Sequence, residues 1–231
     1  MRHLAWALVM ATGKAEKLPE GADIPFLYLN DRPLFAHSVA ALMQCPEIDG
    51  IVLCVPRERA ESVLSAVQLY GFSKVRKIVA SKPGHAASMA AALAHVPDDV
   101  EWLCIHDPSR PVLDPATVSA ALRTARRHGS GVAAVPIPDR VVAARKGTYT
   151  ADCASADSLW ALVSPRIWPV AALRKAYPAA AKERTRFDDD WHAMLAQGIA
   201  PRLVPVPPSF RIRNAADLEP ALRELKRIGL A

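Results

Sequence analysis

Short apolar runs alternate with amphipathic segments along most of the chain. The apolar runs have the length of strands and lie at residues 5–10, 50–55, 76–80, 101–106 and 131–136. Because nearly every position in them is apolar, they indicate strands that are buried on both faces of a sheet. The segments between them show helical periodicity, at residues 33–44, 57–70, 84–95 and 115–128. This alternation predicts an α/β fold with a doubly wound, mostly parallel sheet.

The regular alternation ends after residue 136. Residues 137–164 are mixed, polar and rich in turn-forming residues, which predicts an excursion from the sheet. Helices are expected again at residues 169–177, 189–197 and 214–228, and a short strand at residues 202–206. We therefore treat residues 1–231 as a single domain with one excursion inside it.

Composition and charge narrow the class of partner. Of the 231 residues, 51% are hydrophobic and 23% are charged, as expected of a globular protein with a full core. The net charge of +6 favours anionic partners such as nucleotides and phosphorylated metabolites. The basic residues are dispersed without interleaved aromatic side chains, so we expect no nucleic-acid partner. With only 10 glycines, loops that depend on glycine must be built sparingly.

Cysteine spacing and hydropathy indicate the compartment. Cys45, Cys54, Cys104 and Cys153 are widely spaced and form no C-x-x-C pair, which favours buried thiols over disulfides or a zinc site. The apolar run near the N-terminus is followed by charged residues and is interpreted as a strand, not a signal peptide. No run approaches the length of a membrane span. We therefore expect a cytoplasmic protein that is not bound to a membrane.

The loop after the first strand is a candidate phosphate site. In an open parallel sheet, ligands bind beyond the carboxyl ends of the strands. Ala11, Thr12, Gly13 and Lys14 follow the first strand directly. Small side chains allow backbone N–H groups to approach an anion, and the lysine adds a positive charge. An ordinary surface loop is the alternative interpretation.

The loop after the third strand is a second candidate. Ser81 and Lys82 precede a predicted helix, and Ser88 lies in its first turns. Backbone amides at a helix N-terminus, together with Lys82 and Ser88, can receive a nucleotide. Because serine and glycine begin many helices, this loop is also consistent with an ordinary helix start.

The end of the fourth strand carries Asp107 and, three residues later, Arg110. A carboxylate at this place can bind a divalent ion while the arginine binds a phosphate. The alternative is a turn in which Asp107 accepts hydrogen bonds from its own backbone and pairs with Arg110. His106 is expected to be a packed histidine at the strand end, because no second histidine stands at metal-ligand spacing.

Six segments, in order along the chain, resemble the motifs of one family. They resemble the cytidylyltransferases that act on 2-C-methyl-D-erythritol 4-phosphate in the non-mevalonate isoprenoid pathway. Residues 11–18 resemble A-A-G-x-G-x-R-M, residues 81–88 resemble G-G-x-x-R-x-x-S, and residues 106–111 resemble H-D-A-A-R-P. Residues 134–139 resemble A-x-P-V-x-D, residues 159–165 resemble L-W-x-x-x-T-P, and residues 210–218 resemble N-I-K-x-T-x-x-D-L. Each motif alone is weak, but six in the family's order are specific.

The resemblance implies a Rossmann-like nucleotidyltransferase fold that transfers CMP from CTP to a polyol phosphate with Mg²⁺. It also implies a homodimer whose arm, at residues 137–164, is exchanged between subunits. The catalytic cations would be Lys17 and Arg211, and Asp107 would bind the metal. The implied nucleotide-binding residues are Ala11, Thr12, Gly13, Lys14, Ser81, Lys82, Ser88 and Asp107. The implied contacts to the polyol phosphate are Ser109, Arg110, Arg140, Ser164 and Asp189.

The chain departs from the family's pattern at positions that would face phosphate. Ala15 replaces the second glycine of the phosphate loop, and Ile24 falls where the family has a lysine. An apolar side chain cannot replace a cation that faces a triphosphate, so Ile24→Lys is expected to raise turnover. Arginines of the family fall on His85 and Ala156, and a threonine falls on Asp188.

Two functions of different classes therefore remain open. The residues that support an active cytidylyltransferase are Asp107, Arg110, Ser88, Lys17 and Arg211. Ile24, Ala15 and Asp188 support the alternative, a catalytically impaired homologue that acts as a nucleotide-binding or regulatory dimer. Arg140 can supply the positive charge that is absent at residue 156.

Overall fold

A computed structural model describes residues 4–12, 23–139, 141–145, 148–151, 158–183, 187, 189–208 and 210–229. Its strands are β1 (Leu4–Met10), β2 (Tyr28–Leu29), β3 (Arg32–Pro33), β4 (Ile48–Val55), β5 (Val75–Ala80), β6 (Val100–His106), β7 (Gly131–Pro136), β8 (Ala143–Arg145), β9 (Thr148–Ala151), β10 (Trp160–Pro169) and β11 (Leu203–Pro205). Its α-helices are α1 (Leu34–Met43), α2 (Ala60–Leu69), α3 (His85–Leu93), α4 (Pro115–His128), α5 (Val170–Glu183), α6 (Asp190–Leu195) and α7 (Leu218–Arg227).

Seven strands form the main sheet, in the order β11–β7–β10–β6–β1–β4–β5. All neighbouring pairs are parallel except those of β10, which runs antiparallel to both β6 and β7. The mostly parallel sheet predicted from the sequence is confirmed. The carboxyl ends of β1, β4, β5 and β6 therefore meet at one edge, where a ligand is expected.

Strand β10 is the main element that the apolar pattern missed. It begins at Trp160, inside the segment predicted to leave the sheet, and pairs with β7 and β6. Its pairing with β7 is irregular between Leu162 and Arg166, where the Ser164–Pro165 peptide bond is cis. Serine, proline and arginine in succession are typical of a loop, and they concealed the strand from the pattern.

The apolar runs of the sequence are explained by burial on both faces of the sheet. In β1, Ala7 and Val9 contribute to one core cluster, while Leu8 and Met10 contribute to the other. Helices α1, α2 and α4 cover the first face, and α3, α5 and α6 cover the second. Because side chains alternate across a strand, a strand between two helical layers needs apolar residues at successive positions.

Local signals fix the ends of α4. The side chain of Asp114 accepts a hydrogen bond from the Ala116 N–H at 2.8 Å, as a helix N-cap does. The helix ends at Gly129, which has φ +88°, a conformation that glycine adopts without strain. Two residues later, a Cβ on Gly131 would overlap the backbone of Ala121. Glycine is therefore required where β7 packs closely against α4.

The cysteines agree with the expectation of buried thiols. Cys45, Cys54 and Cys104 are buried and free. Burial raises the pKa of Cys54 to about 11, so this thiol stays protonated and unreactive at neutral pH. Cys153 lies outside the described residues.

Ile24 belongs to a small apolar cluster beside α7. It is 9% exposed and packs in a cluster with Leu29, Leu34, Ile212 and Leu225. The side chain therefore points into a core and does not face a triphosphate. The structure therefore contradicts the premise of Ile24→Lys, because a lysine at this position would lie in the apolar cluster and not beside a triphosphate.

We predict that Ile24→Lys lowers the free energy of unfolding by about 2–4 kcal/mol, since it places an ammonium group in an apolar cluster. Urea denaturation would measure the change. Ile24→Val is the matched control and should cost only about 1 kcal/mol. A lysine variant with the stability of the wild type and a higher turnover would reinstate the original expectation.

His106 joins three elements at the end of β6. Its Nε2 lies 3.0 Å from the Ser38 hydroxyl of α1, and its Nδ1 lies 2.7 Å from the Ser164 hydroxyl of β10. Ser38 donates to the Leu34 carbonyl at 3.5 Å, so it accepts from Nε2–H. In the neutral ring Nδ1 then accepts from the Ser164 hydroxyl. Burial lowers the pKa of His106 to about 4, which keeps the ring neutral at pH 7.

This burial makes stability depend on pH. The unfolded chain binds a proton at residue 106 below about pH 6.5, whereas the folded chain does not until about pH 4. The free energy of unfolding should therefore fall as the pH drops through this window, with a slope approaching about 1.4 kcal/mol per pH unit from this group. Urea denaturation at several pH values would measure it. His106→Gln should flatten the slope and the exposed His95→Gln should not; equal slopes in all three proteins would contradict this assignment.

Candidate active site

Two cavities open at the carboxyl edge of the main sheet. The first cavity, of about 540 Å³, is lined by the ends of β1 and β6, by β10 and by the start of α6. The second cavity, of about 690 Å³, is lined by the segments that follow β4 and β5 and by the start of α3. Thr12 and His85 line both cavities, so the two spaces adjoin.

The second cavity contains the predicted nucleotide loop. Ser81, Lys82 and Ser88 line it together. The Ser88 hydroxyl accepts a hydrogen bond from the Lys82 N–H at 3.0 Å and donates to the Lys82 carbonyl at 2.8 Å. Gly84, at φ +88°, turns the chain into α3. Ser88 therefore holds the loop against the first turn of the helix, where amide groups favour an anion.

The phosphate loop is only partly within the described residues. Thr12 lines both cavities. Ala11 is fully buried and its N–H donates to the Cys54 carbonyl at 2.8 Å, so the structure does not bring its amide to a ligand. The other predicted residues of this loop, Gly13, Lys14 and Lys17, lie outside the described part of the chain.

Asp107, Ser109 and Arg211 form one connected group beside the first cavity. The Asp107 carboxylate accepts from the Ser109 N–H at 2.9 Å, and Arg211 Nη2 lies 3.5 Å from its other oxygen. Arg211 Nε donates to the Ser109 hydroxyl at 3.3 Å. The Ile212 N–H donates to the Ser109 carbonyl at 2.7 Å, which fixes the segment that carries Arg211. Ser109 is buried, so it positions Arg211 and does not itself line the cavity.

The turn predicted as an alternative at Asp107 is also present. The same carboxylate that borders the cavity accepts from its own backbone at Ser109, and the Arg110 N–H donates to the Asp107 carbonyl at 3.0 Å. A turn and a ligand site are therefore compatible here. The turn directs the Arg110 side chain into the first cavity.

The first cavity concentrates positive charge. Arg110, Arg166 and Arg211 all line it. Burial lowers the pKa of Arg110, the charge of Asp107 opposes this, and Arg211 and Arg166 lower the pKa further. Guanidinium groups close enough to affect one another favour an anion between them.

Two further residues that were predicted to contact the polyol phosphate also lie at the first cavity. Ser164 and Asp189 both line the first cavity. The Ser164 hydroxyl accepts from the Asp107 N–H at 3.1 Å, and Asp189 caps α6 by accepting from the His192 N–H at 3.1 Å. Arg140, Ala156 and Asp188 lie outside the described residues.

Arg166 and Trp191, two of the polar or aromatic side chains that line the first cavity, were not predicted from the sequence. Arg166 directly follows the motif that ends at Pro165, and Trp191 directly follows three successive aspartates at residues 188–190. Adjacency to these motifs was the available signal. His85 lies at the junction of the cavities, with its Nε2 3.4 Å from the Tyr177 hydroxyl.

The Asp107 carboxylate is suited to bind a divalent ion together with substrate phosphates. Its side chain is 33% exposed and borders the first cavity. Within the described ranges, no group of three or more His, Cys, Asp or Glu side chains could hold a metal by itself. Mg²⁺ is commonly bound through one or two carboxylates together with substrate phosphates, which matches a single carboxylate beside arginines.

No helix among the described residues is both long enough and apolar enough to span a membrane. The expected cytoplasmic location is not tested by this finding and stays a prediction.

Comparisons with known proteins agree with the geometry. The model of the IspD family, 2-C-methyl-D-erythritol 4-phosphate cytidylyltransferase, matches residues 5–226. A relative of that name from Desulforamulus reducens is 31% identical over 225 residues, covering 96% of this chain and 95% of the relative.

Two solved structures share the fold at lower identity. The 4-diphosphocytidyl-2C-methyl-D-erythritol synthase of Anaerococcus prevotii superposes with a TM-score of 0.81 at 16% identity, covering 97% of this chain and 96% of that chain. The 2-C-methyl-D-erythritol 4-phosphate cytidylyltransferase of Francisella tularensis gives a TM-score of 0.78 at 18% identity, covering 96% and 100%. The match of the family model over almost the whole chain shows that the chain belongs to the 2-C-methyl-D-erythritol 4-phosphate cytidylyltransferase family.

Proposed function

We propose that this protein transfers the cytidylyl group of CTP to 2-C-methyl-D-erythritol 4-phosphate, or to a related polyol phosphate, in isoprenoid biosynthesis. The observation that carries the proposal is the pair of adjoining cavities that share Thr12 and His85. A nucleotidyl transfer needs two phosphate-bearing substrates held in contact, and each cavity presents cations to one of them. Membership of the family supports CTP as the nucleotide.

The second cavity is the proposed nucleotide site. The amides at the start of α3 and the ammonium group of Lys82 suit the charged part of a nucleotide. Ser88 keeps the loop closed on the helix through its two hydrogen bonds to Lys82. The adjoining first cavity, with Arg110 and Arg211, is the proposed site of the polyol phosphate.

The reaction requires little chemistry from side chains. A phosphate oxygen of the polyol phosphate forms a bond to the α-phosphorus of CTP, while the bond from that phosphorus to pyrophosphate breaks. No covalent intermediate with the enzyme is needed, so catalysis consists of positioning and of stabilising negative charge. We assign this role to Arg211 in the described structure and to Lys17 on the basis of the family motif.

Asp107 is the proposed ligand of the divalent cation, which we expect to be Mg²⁺. When bound, the ion would neutralise charge on the triphosphate. The Ser109 N–H and Arg211 hold the carboxylate at the cavity. Asp107 therefore connects the proposed metal site to Arg211, which lines the same cavity.

The proposal predicts pyrophosphate release from CTP, Mg²⁺ and 2-C-methyl-D-erythritol 4-phosphate. Asp107→Asn should lower kcat by about 100-fold or more, because it removes the charge that binds the metal. Asp98→Asn is the matched control, since Asp98 is fully exposed and pairs with Arg174 away from the cavities. A coupled assay for pyrophosphate would measure both.

If no pyrophosphate is released, binding of CTP distinguishes between the remaining alternatives. Absence of turnover with a thermal midpoint that rises on addition of CTP would replace the proposal by the impaired, nucleotide-binding homologue. Absence of both would exclude a CTP site of either kind. Equal turnover in Asp107→Asn and the wild type would remove Asp107 from the metal site.

We also infer a homodimer in which the arm between β7 and β10 contacts a second copy. Strands β8 and β9 form a hairpin separate from the main sheet. Val141 and Val142, which precede the hairpin, are 40% and 51% exposed. Exposed apolar side chains at this place are consistent with a contact surface on the arm.

The inferred dimer predicts a sedimentation mass twice that of one chain. Replacing Val141 and Val142 together by glutamate should shift the protein towards the monomer, because like charges would meet in the interface. Leu69→Glu, at an exposed position of α2, is the control and should leave the mass unchanged. A wild-type protein that sediments as one chain at assay concentrations would contradict the inference.

A further inference from the structure

Arg166 forms an ion pair with the buried carboxylate of Asp190. Its Nη2 lies 2.6 Å from Asp190 Oδ1, and Asp190 is fully buried. The second Asp190 oxygen accepts from the Trp168 Nε1–H at 2.5 Å. One oxygen of the carboxylate is therefore ion-paired with Arg166 and the other is hydrogen-bonded to Trp168, which restrains the guanidinium group on the side that faces Asp190.

The Arg166–Asp190 ion pair orients the arginine towards the first cavity. An ion pair that served the core alone would have both partners in the core, but Arg166 is 19% exposed and lines the cavity. Asp190 contacts only Nη2 of the guanidinium, and the buried Nε–H has no hydrogen-bond partner among the described residues. An arginine has five N–H donors, so donors remain for an anion.

The surroundings of Arg166 select an anion with more than one charge. Arg110 and Arg211 line the same cavity, and Arg166 is among the charges that lower the pKa of Arg110. The carboxylates nearby are already engaged: Asp107 contacts Arg211, and Asp189 caps α6. Three guanidinium groups that repel one another fit a phosphate monoester, whose oxygens can bind more than one of them.

We propose that Arg166 is a specificity-determining residue that binds the phosphate of the acceptor alcohol, and that Asp190 and Trp168 are its positioning residues. This inference rests on the proposed function and assigns a further residue to the acceptor side of the site. The nucleotide loop at residues 81–88 shares only His85 with the lining of the first cavity, so Arg166 acts on the acceptor and not on the CTP loop.

Steady-state kinetics with each substrate varied in turn would test this role. Arg166→Gln should raise the KM for the acceptor about 10- to 100-fold, as expected for loss of a charge-assisted hydrogen bond. The KM for CTP should change by less than about threefold. Arg166→Lys should lie between the two proteins, because it keeps the charge but loses the planar fork of donors.

Two further variants separate positioning from simple stabilisation. Trp168→Phe keeps a large ring and removes the hydrogen bond to Asp190, so it should raise the KM for the acceptor in the same direction but less. Arg174→Gln breaks another arginine–aspartate pair, 2.7 Å long and outside both cavities, and should leave both KM values unchanged. Equal changes in both KM values for Arg166→Gln, or no change in either, would overturn the proposal.

The rise of the thermal midpoint on addition of inorganic phosphate tests the role of Arg166 without measuring turnover. If the wild type shows no turnover, the proposed function fails, and the rise of the thermal midpoint with phosphate then tests Arg166 alone. A smaller rise in Arg166→Gln than in Arg174→Gln would support anion binding by Arg166, and an equal rise would overturn it. If Arg166→Gln does not fold, Arg166→Lys decides through the same comparisons.

Discussion

The arrangement of the site depends on the hydrogen bonds of one buried histidine. His106 ends the central strand β6 and joins it to the hydroxyl groups of Ser38 in α1 and Ser164 in β10. Ser164 in turn accepts from the Asp107 N–H, at the first residue beyond the strand. The contacts fix the antiparallel strand against the end of β6. Because Asp107 follows His106 and Arg166 follows Ser164 by two residues, one network positions both the proposed metal ligand and the arginine across the cavity.

Much of the fold could be predicted from the sequence because the main strands are buried on both faces. Such strands must be apolar at successive positions, and this pattern is visible without any knowledge of contacts. Strand β10 was not visible, because Ser164, Pro165 and Arg166 lie in its middle. The two polar residues are tolerated inside the sheet because each has a partner in another element: His106 for the Ser164 hydroxyl, and Asp190 for the Arg166 guanidinium. The sequence pattern of β10 alone does not reveal His106 or Asp190, because both residues lie in other elements.

The candidate site was predictable where a motif keeps its residues together in sequence. Ser81, Lys82 and Ser88 lie within eight residues of one another, and all three line one cavity. Ile24 shows the limit, because alignment to a motif gives a position but not its burial, and this position belongs to an apolar cluster. Arg166 shows the opposite case, a residue that lines the cavity although no motif includes it. Its role follows from contact with a residue 24 positions later along the chain, which only the packing of α6 against β10 brings about.

The position of Arg166 at the edge of a cavity lowers the energetic cost of burying its partner Asp190. A carboxylate removed from water is destabilising unless its partners compensate, and an ion pair with one exposed partner costs less than a pair buried completely. Arg166 meets both conditions, since one face pairs with Asp190 while the rest of the group reaches the cavity. A phosphate that binds there adds negative charge close to an arginine whose orientation is already fixed, so little conformational entropy is lost on binding. The same buried carboxylate thus stabilises the packing of α6 on the sheet and preorganises the arginine for its ligand.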